Sequence, residues 1–327
     1  MTGPPLLEIR DLRVLFRIGD GEAPAVDGLS LALRPGEALG LVGESGCGKS
    51  VTALSILGLT PRPASRVAEG SSIRLRGEEL LGATPERMRE VRGGEIGIVF
   101  QEPMASLNPV LRVGDQVAEA VRAHQSLDRA ALRDRVEELL GTVGLPEVGA
   151  TARAWPHQLS GGMRQRVLIA MALAGDPALL IADEATSALD VTVQATILDL
   201  LDRLRRDRAL ALLLITHDLS VAARLTDRIA VMYGGRIVEE GATRLVLDRP
   251  AHPYTRGLLG SIPDPERRGA RLDAIRGSVP GIGSWPGGCR FHPRCSHTFA
   301  RCVMESPPLM TTAPATRAAC WLLEGEE

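Results

Sequence analysis

Aromatic side chains are nearly missing: only 3% of the 327 residues are Phe, Trp or Tyr. A core must therefore come mostly from Ala, Leu, Val and Ile. Lysine is scarcer still. Of 38 Lys and Arg residues, every one but Lys49 is arginine. A GC-rich genome accounts for such a drift and makes the exception informative, because a position that keeps lysine calls for a compact ammonium rather than a planar fork. Neither sign of charge is in excess. The formal net charge of −2 leaves no basic footprint for a dedicated nucleic-acid binder. No run reaches ~18 consecutive apolar residues, so no membrane-spanning helix is expected. The opening MTGPPLLEIRD has no basic stretch followed by an apolar one, so a secretory signal is not expected and a cytosolic setting is.

What is present is ordinary globular material, 44% hydrophobic and 24% charged, enough for one large domain or two ordinary ones. Residues 7–10, 12–16 and 25–33 read as extended segments, the last closed by a turn at Pro35-Gly36. The short apolar runs 38–42, 96–100, 179–182 and 210–215 suit buried strands, and 228–233 is a further strand. Helical spacing marks 51–59, 113–143, 163–174 and 191–204. Strands alternating with helices imply an α/β fold with a mostly parallel sheet. The 113–143 block interrupts that alternation and reads as an inserted helical subdomain. After about residue 248 the chain turns rich in Pro, Gly and Arg and becomes a loop-rich extension.

Between the run 38–42 and the helix 51–59 stands Gly43-Glu44-Ser45-Gly46-Cys47-Gly48-Lys49-Ser50, the G-x-x-x-x-G-K-[ST] of a phosphate-binding loop in its required strand–helix context. Its glycines let the backbone approach phosphate oxygens, which the N–H groups and the helix N-terminus cradle. Lys49 would reach the β/γ-phosphates of ATP, and the Ser50 hydroxyl would ligate Mg²⁺. The run 179–182 ends in Asp183 and Glu184, at a strand end where an α/β sheet presents its ligand. Asp183 is placed to hold Mg²⁺ and Glu184 to polarise the attacking water.

Leu159-Ser160-Gly161-Gly162-Met163-Arg164-Gln165 resembles the signature of ATP-binding-cassette ATPases. Ser160 would cap a helix whose first N–H groups stay exposed at Gly161 and Gly162, a second anion site. One cassette needs only one γ-phosphate site, so the second suggests a head-to-tail dimer in which each partner closes over the other's nucleotide. Gln101 resembles the Q-loop glutamine that senses Mg²⁺, Ser187-Ala188-Leu189-Asp190 the D-loop, and His217 the switch histidine that contacts the γ-phosphate. Phe16 is the candidate for stacking on the base. The pattern departs at Ala185, where many relatives have Pro, and at Cys47, where Ser is common; neither removes a catalytic group. The resemblance implies a P-loop, RecA-like core with an antiparallel β subdomain and a helical subdomain at about 102–158. It places the cassette in 1–248 and the extension in 249–327.

Phe100-Gln101-Glu102-Pro103-Met104-Ala105-Ser106-Leu107-Asn108-Pro109, Pro156-His157-Gln158, Ala251-His252-Pro253-Tyr254-Thr255 and Gly288-Cys289-Arg290-Phe291-His292-Pro293-Arg294-Cys295 are similar to segments of dipeptide and oligopeptide importer ATPases. Close relatives import nickel, glutathione or other small solutes. A chromosome-organising cassette ATPase would need hundreds of coiled-coil residues between Lys49 and Ser160, where only about a hundred intervene without heptads. A ribosome-associated cassette protein would carry two cassettes and a basic linker, and a P-loop kinase has no use for 159–165. The resemblance therefore implies two membrane permease subunits, a second ATPase subunit (a paralogue), an extracytoplasmic solute-binding protein reached indirectly, and no nucleic acid. It places the chain peripherally at the cytoplasmic face of the membrane, with the helical subdomain after Gln101 as the docking groove.

Cys289, Cys295, Cys302 and Cys320, spaced C-x₅-C-x₆-C-x₁₇-C, lie in a tail too poor in periodic hydrophobics to build its own core, so a metal centre could supply the constraint. The spacing does not name the centre: no short C-x₂₋₄-C pair of the zinc kind occurs, and the common ferredoxin spacings do not match. The resemblance implies a [4Fe–4S] cluster on these four. Zinc, with His292 or His297 as a ligand, and metal-free cysteines are the alternatives.

Overall fold

The computed structural model describes residues 3–100, 106–186, 189–262 and 275–325. They form two compact units. One comprises Met1–Leu6, Arg34–Glu37 and Gly82–Leu214; the other comprises Leu7–Leu33, Ala38–Leu81 and Ile215–Glu327.

In the second unit, Leu7–Ile18 pairs antiparallel with Gly21–Leu33, from Leu7 opposite Leu33 to Ile18 opposite Gly21. Its other edge takes Ser65–Val67 and Ser72–Leu75. Leu7, Ile9, Leu12 and Val14 are all at most 1% exposed. The two extended segments expected at 7–10 and 12–16 are one strand. Its register slips between Ile9 and Leu12, where Asp11 takes φ 44°, and this irregularity keeps the apolar set on one face. Part of a second, eight-stranded sheet lies here, in the order Met310–Ala313, Thr316–Ala318, Arg236–Ala242, Arg228–Tyr233, Ala38–Val42. Only the last pair is parallel. Two of its strands belong to the loop-rich extension. The extension also sends Tyr254 and Phe291 into a core with Val42, Val231, Tyr233 and Val238. Tyr233 meets Tyr254 and Phe291 edge-on at 4.7 and 5.2 Å, a geometry aromatic rings favour. A chain this poor in aromatics thus spends three of them on fastening its tail.

The helix expected at 51–59 spans Lys49–Ile56. It ends early because Gly58 takes φ 60° and closes a Schellman turn, with Leu59 N–H donating to Leu54 O and Gly58 N–H to Ser55 O. The strand Arg236–Ala242 was hidden in sequence by Glu239 and Glu240, which are only 2% and 6% exposed. Both are satisfied: Glu239 accepts from the N–H groups of Ala251 and His252 at 2.7 and 3.0 Å, and Glu240 pairs with Arg317.

In the first unit, Ile96–Val99 runs parallel to Leu179–Asp183, as buried strands of an α/β sheet do. Gly97 is required there, since a Cβ would lie 2.3 Å from Ala172 O. The helical block expected at 113–143 is two helices, Val113–Arg122 and Arg129–Thr142. They are divided where Asp128 accepts from the N–H groups of Ala130 and Ala131 and starts the second. Val148–Arg153 and Gly161–Ala172 follow. Among the described residues no helix is long and apolar enough to cross a membrane.

Candidate functional site

In the second unit, the wholly buried strand Ala38–Val42 delivers the chain into the glycine-rich loop. Gly43 and Gly48, at φ 155° and 109°, admit no side chain: a Cβ would lie 2.2 Å from Met232 O at the first and 2.6 Å from Ala25 O at the second. Ser45 and Gly46 stand exposed at the tip, while Cys47 is fully enclosed. Burial raises the Cys47 thiol pKa, which keeps it protonated. Lys49, 4% exposed, folds its ammonium back on the loop, donating to Gly43 O at 2.7 Å and Glu44 O at 2.9 Å. Gly48 is the N-cap of the helix Lys49–Ile56, on whose first turn the half-buried Ser50 sits. Phe16, half-buried, lies opposite Ala23 and Ser65 near the end of its strand. His217 is exposed just after the strand Ala211–Thr216, and Asp218 caps the helix that follows, accepting from Ser220 N–H at 2.7 Å.

The same unit holds two loop partners that the sequence did not announce. Glu44 N–H donates to Tyr254 Oη at 2.8 Å, and the Glu44 carboxylate accepts both arms of Arg294. Residues more than 200 positions apart leave no periodic signal of such a contact. Tyr254 is aimed by His252, whose Nδ1 accepts the Tyr254 N–H at 3.0 Å. Complete burial pushes the His252 pKa down to about 3, so the ring stays a neutral acceptor.

In the first unit, Leu179–Asp183 ends with Asp183 only 6% exposed. Glu184 then takes φ 47°, a left-handed conformation uncommon for a non-glycine residue. It turns the chain sharply off the strand. Ser160 caps Gly161–Ala172, accepting from Met163 N–H at 3.3 Å. Asp190 caps Val191–Arg208, accepting from Thr192 and Val193 N–H at 3.1 and 3.0 Å. The two helix starts converge: a Cβ on Gly162 would lie 2.6 Å from Val193 Cγ1, and one on Gly161 3.4 Å from Leu189 Cδ2. The start of the signature helix thus forms one surface with Leu189 and Val193. Gln165, grouped with that surface in sequence, is parted from it by helical phase. It is 0% exposed, with neither amide atom hydrogen-bonded, while Ser160 and Gly161 are exposed. Gln101, the rest of the segment 101–105, and Ser187 and Ala188 of the D-loop lie outside the described residues.

The four tail cysteines are all free thiols, Cys302 and Cys320 buried and the other two half-buried. Cys289 N–H donates to Cys302 O at 2.8 Å, tying the first to the third. Burial, reinforced by the neighbouring thiols, pushes the Cys289 pKa up to about 11. Cys295 and Cys320 are raised for the same reason. Backbone N–H groups of Phe291, His297 and Leu322 point at these three sulfurs. Among the described residues no group of three or more His, Cys, Asp and Glu side chains could hold a metal ion.

Residues 26–187 match the family model described as "ABC transporter", and residues 238–302 match "Oligopeptide/dipeptide transporter, C-terminal region". A protein of Brucella ovis named as a peptide import ATP-binding protein is 48% identical over 320 residues, covering 94% of each chain. One of the same description from Brucella melitensis is 48% identical over 308 residues, covering 94% of this chain and 92% of its own. Among solved structures, a dimeric ATP-binding cassette in a post-hydrolysis state with ADP and Pi superposes with a TM-score of 0.64 at 28% identity, over 73% of this chain and 99% of the other. A cassette from an ABC transporter complex of Clostridium perfringens gives 0.65 at 26% identity, over 75% and 91%.

Proposed function

Because the chain belongs to the ABC transporter ATPase family, and is an ATPase of that kind, we propose that it energises the import of di- and oligopeptides. The observation that carries this reading is the union, in one chain, of the 43–50 loop and the 159–165 signature with a tail matching the oligopeptide/dipeptide transporter C-terminal region. Import of nickel, glutathione or another small solute is the second reading, since solute choice belongs to subunits other than this one.

Each site residue has a task in that reaction. The loop 43–50 wraps the phosphates, and Lys49 leaves its own carbonyls to meet their charge. Phe16 stacks on the base. The oxygen donors Ser50, Asp183 and Gln101 would hold Mg²⁺, a hard cation that would screen the phosphate oxygens. Glu184 takes the proton of the attacking water, and His217 steadies the γ-phosphate. Ser160, Gly161 and Gly162 complete the site of a second ATPase subunit, a paralogue, with Asp190 fixing the adjoining helix start. Residues 1–248 act as the cassette and 249–327 as the extension.

The chain docks peripherally on two permease subunits at the cytoplasmic face, and a solute-binding protein outside feeds them. An apolar groove of about 270 Å³ in the first unit, lined by Phe100, Ala120, Ala123, Leu168 and Met171, supports this, since Phe100 is 41% exposed. Affinity purification from solubilised membranes should recover two integral membrane proteins with the chain, and deleting its gene should abolish uptake of labelled dipeptides. Recovery of ribosomes instead, with peptide uptake intact, would sink the reading.

Cys289, Cys295, Cys302 and Cys320 would hold a [4Fe–4S] cluster as a structural clip. The Cys289 N–H donates to Cys302 O at 2.8 Å, which brings the backbones of two of the four together, and N–H groups on the sulfurs would tune a cluster. Such a cluster contributes four thiolate bonds to a tail without a core of its own, and no electron transfer is required of it. Protein purified anaerobically should be brown with about four irons per chain. Colourless protein with stoichiometric zinc would replace the cluster by a zinc site.

A further inference from the structure

The contact between tail and loop is more specific than packing requires. Arg294 meets Glu44 bidentately, Nη1 to Oε2 at 2.7 Å and Nη2 to Oε1 at 2.9 Å. Its side chain is 5% exposed against 30% for Glu44. The remaining donors are also placed: Nε gives to Arg276 O at 2.8 Å, Nη2 to Gly277 O at 3.2 Å, and Nη1 reaches Tyr233 Oη at 3.5 Å. All five N–H groups of the guanidinium therefore have acceptors, a fit no ammonium reproduces. Arg294 is held on the turn His292–Arg294, immediately before Cys295. Glu44 follows Gly43 directly, and Tyr254 Oη takes the Glu44 N–H. A carboxylate at the rim of a loop that receives a polyanion works against binding unless it is neutralised.

We propose that Arg294 is a positioning residue of the nucleotide loop. It neutralises Glu44 and draws its side chain away from the phosphates, so that the C-terminal extension completes the ATP site of its own chain. This rests on the reading of 43–50 as that site. With Arg294 removed, Glu44 keeps its charge but loses its counter-ion, and a lone carboxylate so placed is a penalty in itself. Removing Glu44 as well lifts the penalty. Arg294 reaches no reacting atom, so the effect falls on nucleotide affinity and not on turnover.

The test is a double-mutant cycle in the full chain, read by affinity for a fluorescent ATP analogue and by KM and kcat for ATP. Arg294→Gln should raise Kd and KM about tenfold with kcat nearly unchanged, within the usual range for coupled sites. The double variant Glu44→Gln/Arg294→Gln should recover most of the affinity. A single variant with wild-type Kd overturns the proposal, and so does a double variant as weak as the single, since a merely structural Arg294 would not be rescued by removing a charge. If the Arg294→Gln variants do not fold, Arg294→Lys decides alone: it keeps the charge but loses the bidentate fit, so Kd should rise several-fold, and a wild-type Kd overturns the proposal. Wild-type chain that binds no ATP analogue would instead refute the reading of the loop itself.

Discussion

Glu184→Gln should bind ATP as tightly as the wild-type chain and hydrolyse it about 10² to 10⁴ times more slowly, the usual contribution of a positioned general base. That loss corresponds to roughly 3–5 kcal/mol of transition-state stabilisation. The substitution is clean for a structural reason. Glu184 sits at φ 47°, and glutamine has the same shape and the same backbone preferences, so only the charge and the proton affinity change. With hydrolysis blocked, ATP should hold the chain and its partner ATPase in a closed dimer, visible as an ATP-dependent gain in mass by light scattering. Phosphate release at the wild-type rate would remove Glu184 from the base role. A loss of nucleotide affinity would mean that it binds rather than reacts.

Lys49 should be equally intolerant, at an earlier step. Its ammonium is 4% exposed and held by Gly43 O and Glu44 O, so Lys49→Ala removes both the charge the phosphates meet and the donor that orders the loop. Nucleotide affinity should fall about 10- to 100-fold, where each decade is 1.4 kcal/mol. Lys49→Arg is the sharper experiment. Arginine is the default cation of this chain, and it keeps the charge, but a planar guanidinium does not fit a pocket bounded by two carbonyls and the Cys47 sulfur at 3.7 Å. It should bind ATP poorly while melting at the wild-type temperature. Full ATPase activity in Lys49→Arg would show that the single lysine is an accident of composition.

The elements of the candidate site were legible in sequence because their signals are local. A phosphate loop needs glycines within a few residues of one another, and the steric limits at Gly43 and Gly48 are the physical content of that motif. The apolar runs 38–42, 96–100 and 179–182 became buried strands because a strand covered on both faces has no polar positions to spare. Ser160 and Asp190 cap their helices as short oxygen-bearing side chains before a helical run do. Local reading failed where charge was buried. Glu239 and Glu240 concealed the strand Arg236–Ala242, since their burial is compensated by groups outside it, the N–H groups of Ala251 and His252 and the side chain of Arg317 among them.

The amino-acid sequence by itself determined the family, the α/β plan and the glycine-rich loop 43–50, because each depends on contacts within a few turns of chain. Only the tertiary structure decided where the C-terminal extension packs. Its two strands pair on beyond Arg236–Ala242, its rings pack on Tyr233, its Cys289 N–H bonds Cys302 O, and its Arg294 holds Glu44. Those contacts join residues up to 250 positions apart. No periodicity records such a pairing, because it exists only once the chain has folded back on its own loop.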